Sequence, residues 1–106
     1  MNIKEILSQP EGRRLEFKAE LPVHSDLAKT VVAFANDAGG DLYIGVADDP
    51  REVVGLDEDK LMTIEEKVSN IIFDCCYPAI LPEIKFISVE DKHLVQVTSR
   101  RPSGLR

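Results

Sequence analysis

The hydrophobic period of this chain changes twice between residues 13 and 50, and that alternation restricts the fold more than any single motif does. In "RRLEFKAE", residues 13–20, Leu15 and Phe17 alternate with Glu16 and Lys18, the period-2 signature of a half-buried strand. From Asp26 the apolar positions become Leu27, Val31, Phe34, Ala35 and Ala38, one stripe of a helix, with Ser25 placed to cap it and Asp26 sited favourably in its first turn. Gly39 or Gly40 suits the left-handed residue that closes such a helix. "DLYIGVA" then returns to strand character with apolar residues on both faces, so it is expected at the centre of its sheet.

The remaining elements follow the same logic. Ile3, Ile6 and Leu7 fit a short helix over residues 2–8 that Pro10 stops. "EVVGL" is expected to pair back as a hairpin after an acidic turn. Asp57 is positioned to cap a second long helix with Leu61, Ile64, Val68, Ile71 and Ile72 as its buried stripe, ending before Pro78. "EIKFISV" and "HLVQV", separated by "EDK", predict a terminal hairpin. The fold class is therefore α+β, a two-layer sandwich with two main helices on one face of a mixed sheet.

Bulk composition agrees with one folded domain. The chain has 106 residues, 43% hydrophobic and 30% charged, with six glycines and six prolines, a globular rather than disordered balance. The N-terminus lacks the apolar core of a signal peptide, and no run is long enough to cross a bilayer. A cytoplasmic protein with no membrane partner is the expectation. Cys75 and Cys76 are adjacent, a spacing that staples nothing and completes no zinc set, so reduced, half-buried core residues are expected. "TSRRPSGLR" follows the last strand with no closing element, which predicts one domain over residues 1–106, cut short and continued by a further domain beyond Arg106.

A net charge of −6 argues against a surface that attracts nucleic acid everywhere. Distribution matters more than the sum. Arg13, Arg14 and Lys18 cluster early, and Arg100, Arg101 and Arg106 cluster late. If the two clusters meet, a cationic patch survives on an acidic protein; otherwise each is a solvated face. No nucleophile elbow, P-loop or GxGxxG fingerprint is present. His24 and His93 read as surface or capping residues, and Tyr43 and Tyr77 as core or near-core.

"EGRRLEFKAE", "TVVAFANDAGGDLYIGVADD" and "VVGL", in that order and spacing, resemble the Schlafen-type AlbA_2 domain, also called the divergent AAA-4 domain. The residues that carry the likeness are Glu16 to Lys18, Ala33 to Asn36 with Gly39 and Gly40, Ile44 to Val46, and Val54 with Gly55. The resemblance implies an Alba-like α+β fold, serving as the N-terminal DNA-binding module of a transcriptional regulator in bacteria or archaea. Nucleic acid is then the expected partner, DNA more than RNA, held by Arg13, Arg14, Lys18, Arg100 and Arg101, with no cofactor. A homodimer is also expected, since Alba-like domains pair, and a dimerisation or protein-interaction module is a third reading.

Some animal Schlafens cut transfer RNA with a carboxylate cluster, and the matching positions here are Glu11, Glu16 and Asp48, with Lys18 beside them. Three convergent carboxylates would suit Mg²⁺ or Mn²⁺ and make the alternative a metal-dependent endoribonuclease. Along one strand Glu11 and Glu16 would point to opposite faces, so they can meet only if Glu11 lies in the loop before it. The structural alternative is an exposed Glu16–Lys18 ion pair, with Asp48 and Asp49 as turn residues before Pro50.

Overall fold

The computed structural model describes residues 3–12, 14–35, 39–48, 50–76 and 81–100. In chain order these form α1 (Ile3–Leu7), β1 (Leu15–Lys18), α2 (His24–Ala35), β2 (Gly40–Ile44), β3 (Val46–Ala47) and β4 (Glu52–Val53). A 3-10 turn (Glu58–Lys60), α3 (Leu61–Cys76), β5 (Leu81–Val89) and β6 (Lys92–Arg100) complete them. The main sheet has the order β1-β2-β6-β5, with β1 parallel to β2 and the other neighbours antiparallel. It is a mixed α+β sheet with α2 and α3 on one face, as the sequence pattern requires.

The helix face holds the larger core. Leu27, Val31 and Phe34 of α2 and Leu61, Ile64, Val68, Ile71 and Ile72 of α3 pack against Leu42, Ile44, Val95 and Val97. Fully burying each such side chain contributes about 1.5–3 kcal/mol before the entropy of ordering it is counted. The opposite face has a smaller core of Phe17, Tyr43, Val46, Val89 and Leu94, covered by Ile3, Ile6 and Leu7 of α1 and by Val53. That second layer follows from β2 and β6 carrying apolar groups on both sides and from β1 turning Leu15 and Phe17 toward it.

Three expectations are corrected. "DLYIGVA" is not one strand: Gly45, at φ 108°, ends β2, and Val46–Ala47 leave to pair with Glu52–Val53 in a separate two-stranded sheet. A side chain on Gly45 would meet Leu94 Cδ2 at 2.9 Å and the His93 carbonyl at 3.2 Å, so only glycine fits where the strand turns away. Ser25 lies inside the first turn of α2, which starts at His24 rather than Asp26. Cys75 is exposed rather than half-buried, although it stands four residues after Ile71 and continues the apolar stripe into the last turn of α3. Ala38 and Tyr77 lie outside the described residues.

The terminal hairpin is tighter than "EDK" implied. Glu90 and Asp91 alone make the turn, with φ 48° and 66°, the left-handed pair of a type I′ connection. Among the described residues no helix is long and apolar enough to cross a membrane.

Candidate functional site

Strand alternation sorts the polar side chains onto two faces. In register, Glu16 lies opposite Leu42 and Lys18 opposite Ile44, so both share the helix-covered face. Leu15 and Phe17 lie opposite Asp41 and Tyr43. On β6, Thr98 and Gln96 pair with Asp41 and Tyr43, which places Gln96, Thr98 and Arg100 on that second face.

The uncovered part of this face is a cleft of about 580 Å³, walled by Ile6 and Gln9 from the α1 region and flanked by Arg14 and Arg100. Arg14 Nε donates to the Gly39 carbonyl at 3.3 Å. A Cβ on Gly39 would stand 3.7 Å from both Cα and Cγ of Arg100, so the two arginines flank the same short segment. The early and late basic clusters therefore meet, through Arg14 and Arg100. Lys18 does not join them, because it sits on the helix face at the other end of β1; Arg13 and Arg101 lie outside the described residues.

The cleft floor is polar and internally bonded. Thr98 Oγ1 donates to Asp41 Oδ1 at 2.6 Å, and Gln96 Nε2 donates to Tyr43 Oη at 3.0 Å and to Asp41 Oδ1 at 3.5 Å. Burial, reinforced by the Asp41 charge, pushes the Tyr43 hydroxyl up to about 12, so it stays protonated. Sequence reading missed Asp41, Gln96 and Thr98 as site residues. Their signal was present: Gln96, Thr98 and Arg100 stand at every second position of the strand and so share one face.

The structure does not bring Glu11, Glu16 and Asp48 together, and among the described residues no three carboxylate, His or Cys side chains converge to hold a metal ion. Each carboxylate has its own protein partner. Glu11 does lie in the loop before β1, where its Oε2 accepts the Phe17 amide at 2.8 Å and closes the strand's outer edge. Glu16 Oε2 accepts from Thr30 Oγ1 on α2 at 2.8 Å, rather than pairing with Lys18. Asp48 Oδ1 receives Arg51 Nε at 3.0 Å, and Arg51 stacks on Phe17, whose side chain is on the face opposite Glu16.

Arg51 was not singled out by the sequence, yet it organises this end of the molecule. Its Nη1 donates to the carbonyls of Leu7 at 2.8 Å and Gln9 at 2.7 Å, satisfying backbone acceptors at the end of α1. A wider concavity of about 960 Å³ lies between the 19–21 loop and α3. Its charges are mixed, and Lys60 is engaged by Asp57 at 3.6 Å, so it presents no convergent chemistry.

Comparison with known proteins adds the following. The family described as "Schlafen, AlbA_2" matches residues 11–104. An uncharacterized ATP-binding protein of Ureaplasma parvum is 31% identical over 91 residues, which cover 83% of this chain and 26% of that protein. The chain thus spans about a quarter of the curated relative it matches. Among solved structures, the N-terminal domain of a Nitrosomonas europaea protein, named for its relation to the ATP-dependent DNA helicase RecG, is 25% identical with a TM-score of 0.61. That match covers 92% of this chain and 69% of the other. A Corynebacterium diphtheriae protein is 16% identical with a TM-score of 0.54, over 95% of this chain and 22% of the other; this likeness shows the fold alone.

Proposed function

The chain belongs to the Schlafen AlbA_2 family, and from that premise we propose that it is a nucleic-acid-binding module of a larger protein, acting on DNA rather than RNA. One observation carries the reading: Arg14 and Arg100, from opposite ends of the sequence, flank one cleft. Guanidinium groups suit phosphate oxygens because they are always charged and donate in a planar fork. The choice of DNA draws on the helicase-related name of the Nitrosomonas protein, and the tethering of a regulator is part of the same proposal. No cofactor is needed for this role.

The test is fluorescence anisotropy with labelled single-stranded and duplex DNA across a salt series. Affinity should fall with salt by a slope of roughly 0.7–0.9 per phosphate neutralised, and Arg100→Gln should reduce that slope by about one contact. Absence of binding to either form at low salt would rule the module out.

A second reading is self-association. β5 lies at the sheet edge and carries Phe86, which is 47% exposed, and an unpaired edge with an apolar side chain is a template for another strand. Sedimentation that stays monomeric at high concentration would count against it. The metal-dependent endoribonuclease reading has no such support, since Glu11, Glu16 and Asp48 are each engaged elsewhere. It would regain standing only if the protein cut structured RNA with Mn²⁺ and Glu16→Ala abolished that cutting.

A further inference from the structure

The cleft floor has a polarity that phosphate recognition does not account for. Asp41 uses only Oδ1 toward Thr98 and Gln96, and its Oδ2 bonds to none of the described residues. Because Asp41 offers acceptors alone, the Gln96 amide must turn its NH₂ toward it, and Gln96 Oε1 is left without a bond among the described residues. Two hydrogen-bond acceptors, one of them charged, therefore stand on neighbouring strands between two arginines.

A phosphate is repelled by that floor and attracted to the flanks. A group carrying N–H donors is favoured at the floor. One ligand satisfies both demands: a nucleotide whose phosphate meets Arg14 or Arg100 and whose base turns its donor edge toward Asp41 and Gln96. The volume of about 580 Å³ falls in the range of single small-ligand pockets, and Ile6 offers an apolar wall for a base.

The geometry points to a pocket for one unpaired, donor-rich nucleotide, guanine above all, seated on Asp41 and Gln96 with its phosphate on the flanking arginines. This rests on the nucleic-acid reading above and deepens it. Guanine presents N1–H and N2–H₂ side by side, matching two acceptors. Thymine and uracil place a single N–H between two carbonyls, which would face the carboxylate. The edge in question is occupied by pairing in a duplex, so the pocket reads single strands or splayed bases. The same chemistry can come from a free guanine nucleotide, which the experiment separates.

The test compares labelled oligothymidylate, the same strand with one central guanine, and that guanine strand annealed to its complement, with GMP as competitor. The guanine strand should bind about 5- to 100-fold tighter than oligothymidylate, and annealing should abolish the gain. Asp41→Asn keeps the Oδ1 acceptor for Thr98 but replaces Oδ2 with a donor. It should bring the two single strands within about twofold of each other, with oligothymidylate bound at least as tightly as by the wild type because the floor no longer repels phosphate; Gln96→Met should narrow the preference in the same direction. Competition by GMP at its own comparable affinity assigns the pocket to free nucleotides, and failure to compete assigns it to strands. Equal binding of both strands by the wild type, or a guanine preference that survives Asp41→Asn, overturns the inference; in either case binding that weakens in Arg100→Gln leaves the module reading standing. Binding of neither strands nor GMP at low salt removes both.

Discussion

The guanidinium carbon of Arg51 lies 3.8 Å from the centroid of the Phe17 ring, so the second core is closed by a cation rather than by another apolar group. From this position Arg51 reaches the carbonyls of Leu7 and Gln9 and the carboxylate of Asp48. The α1 region, which supplies one wall of the cleft, is attached through it.

Arg51→Ala should lower stability by roughly 2–4 kcal/mol, since it removes a stacked cation and strands the carbonyls it served. Arg51→Lys should recover less than half, because an ammonium cannot stack and fork at once. Asp48→Asn should cost no more than about 1 kcal/mol, its side chain being 39% exposed. Urea denaturation of the three variants decides the matter; equal losses for Arg51→Ala and Asp48→Asn would assign the stabilisation to the ion pair instead.

Gly40 and Gly12 should respond oppositely to alanine. A Cβ on Gly40 would sit 2.5 Å from Phe34 Cδ1 inside the helix-face core, whereas one on Gly12 meets nothing within 4 Å. Gly40→Ala is expected to destabilise by about 1–3 kcal/mol through overpacking. Gly12→Ala should be neutral or gain up to about 1 kcal/mol by restricting the unfolded chain. Thermal melts that showed equal effects would contradict the close approach at Gly40.

The Glu90–Asp91 turn places two residues with side chains at positive φ. Replacing the pair with Asn-Gly, whose backbone preference matches the type I′ turn, should raise stability by roughly 1 kcal/mol. A chevron analysis will show whether the gain enters the folding or the unfolding rate. A loss of stability would mean that the turn is not of this type.

Tyr43 gives a pH signature. Its folded-state value of about 12 exceeds the model-compound value of 10.0, so its contribution is complete below pH 10 and is lost as the pH climbs to 12. The loss amounts to roughly 2–3 kcal/mol. In Tyr43→Phe this part of the alkaline decline should be missing, and the ultraviolet tyrosinate titration should lose its late component. Retention of a late component in Tyr43→Phe would assign it to Tyr77.

The elements were legible because their periods are local properties. The Leu27–Val31–Phe34 stripe and the five apolar positions of α3 are buried as their spacing implied, and the central place of β2 followed from its two apolar faces. The break at Gly45 was not legible, since a glycine inside an apolar strand reads equally well as continuation until the Leu94 and His93 contacts are known. Arg14 and Arg100 could be posed as partners but not joined, because their meeting depends on β6 lying beside β2. The carboxylate trio failed for a related reason: the family resemblance groups Glu11, Glu16 and Asp48, while alternation and Arg51 direct them to different partners. Asp41 was overlooked because one acid between Gly40 and Leu42 looks like a strand boundary until Thr98 stands opposite it.

The strand order β1-β2-β6-β5 also sets when this surface can exist during synthesis. β1, α2 and β2 are contiguous in the chain, so Arg14, Asp41 and Tyr43 can be arranged while the remainder is still inside the ribosome. Gln96, Thr98 and Arg100 arrive only with β6, which must insert beside a β2 already paired on its other side. Until then the nascent chain holds half a cleft and an open strand edge, and a ligand that needs both halves has nothing to bind. On the proposed function, recognition would therefore report that β6 has docked beside β2.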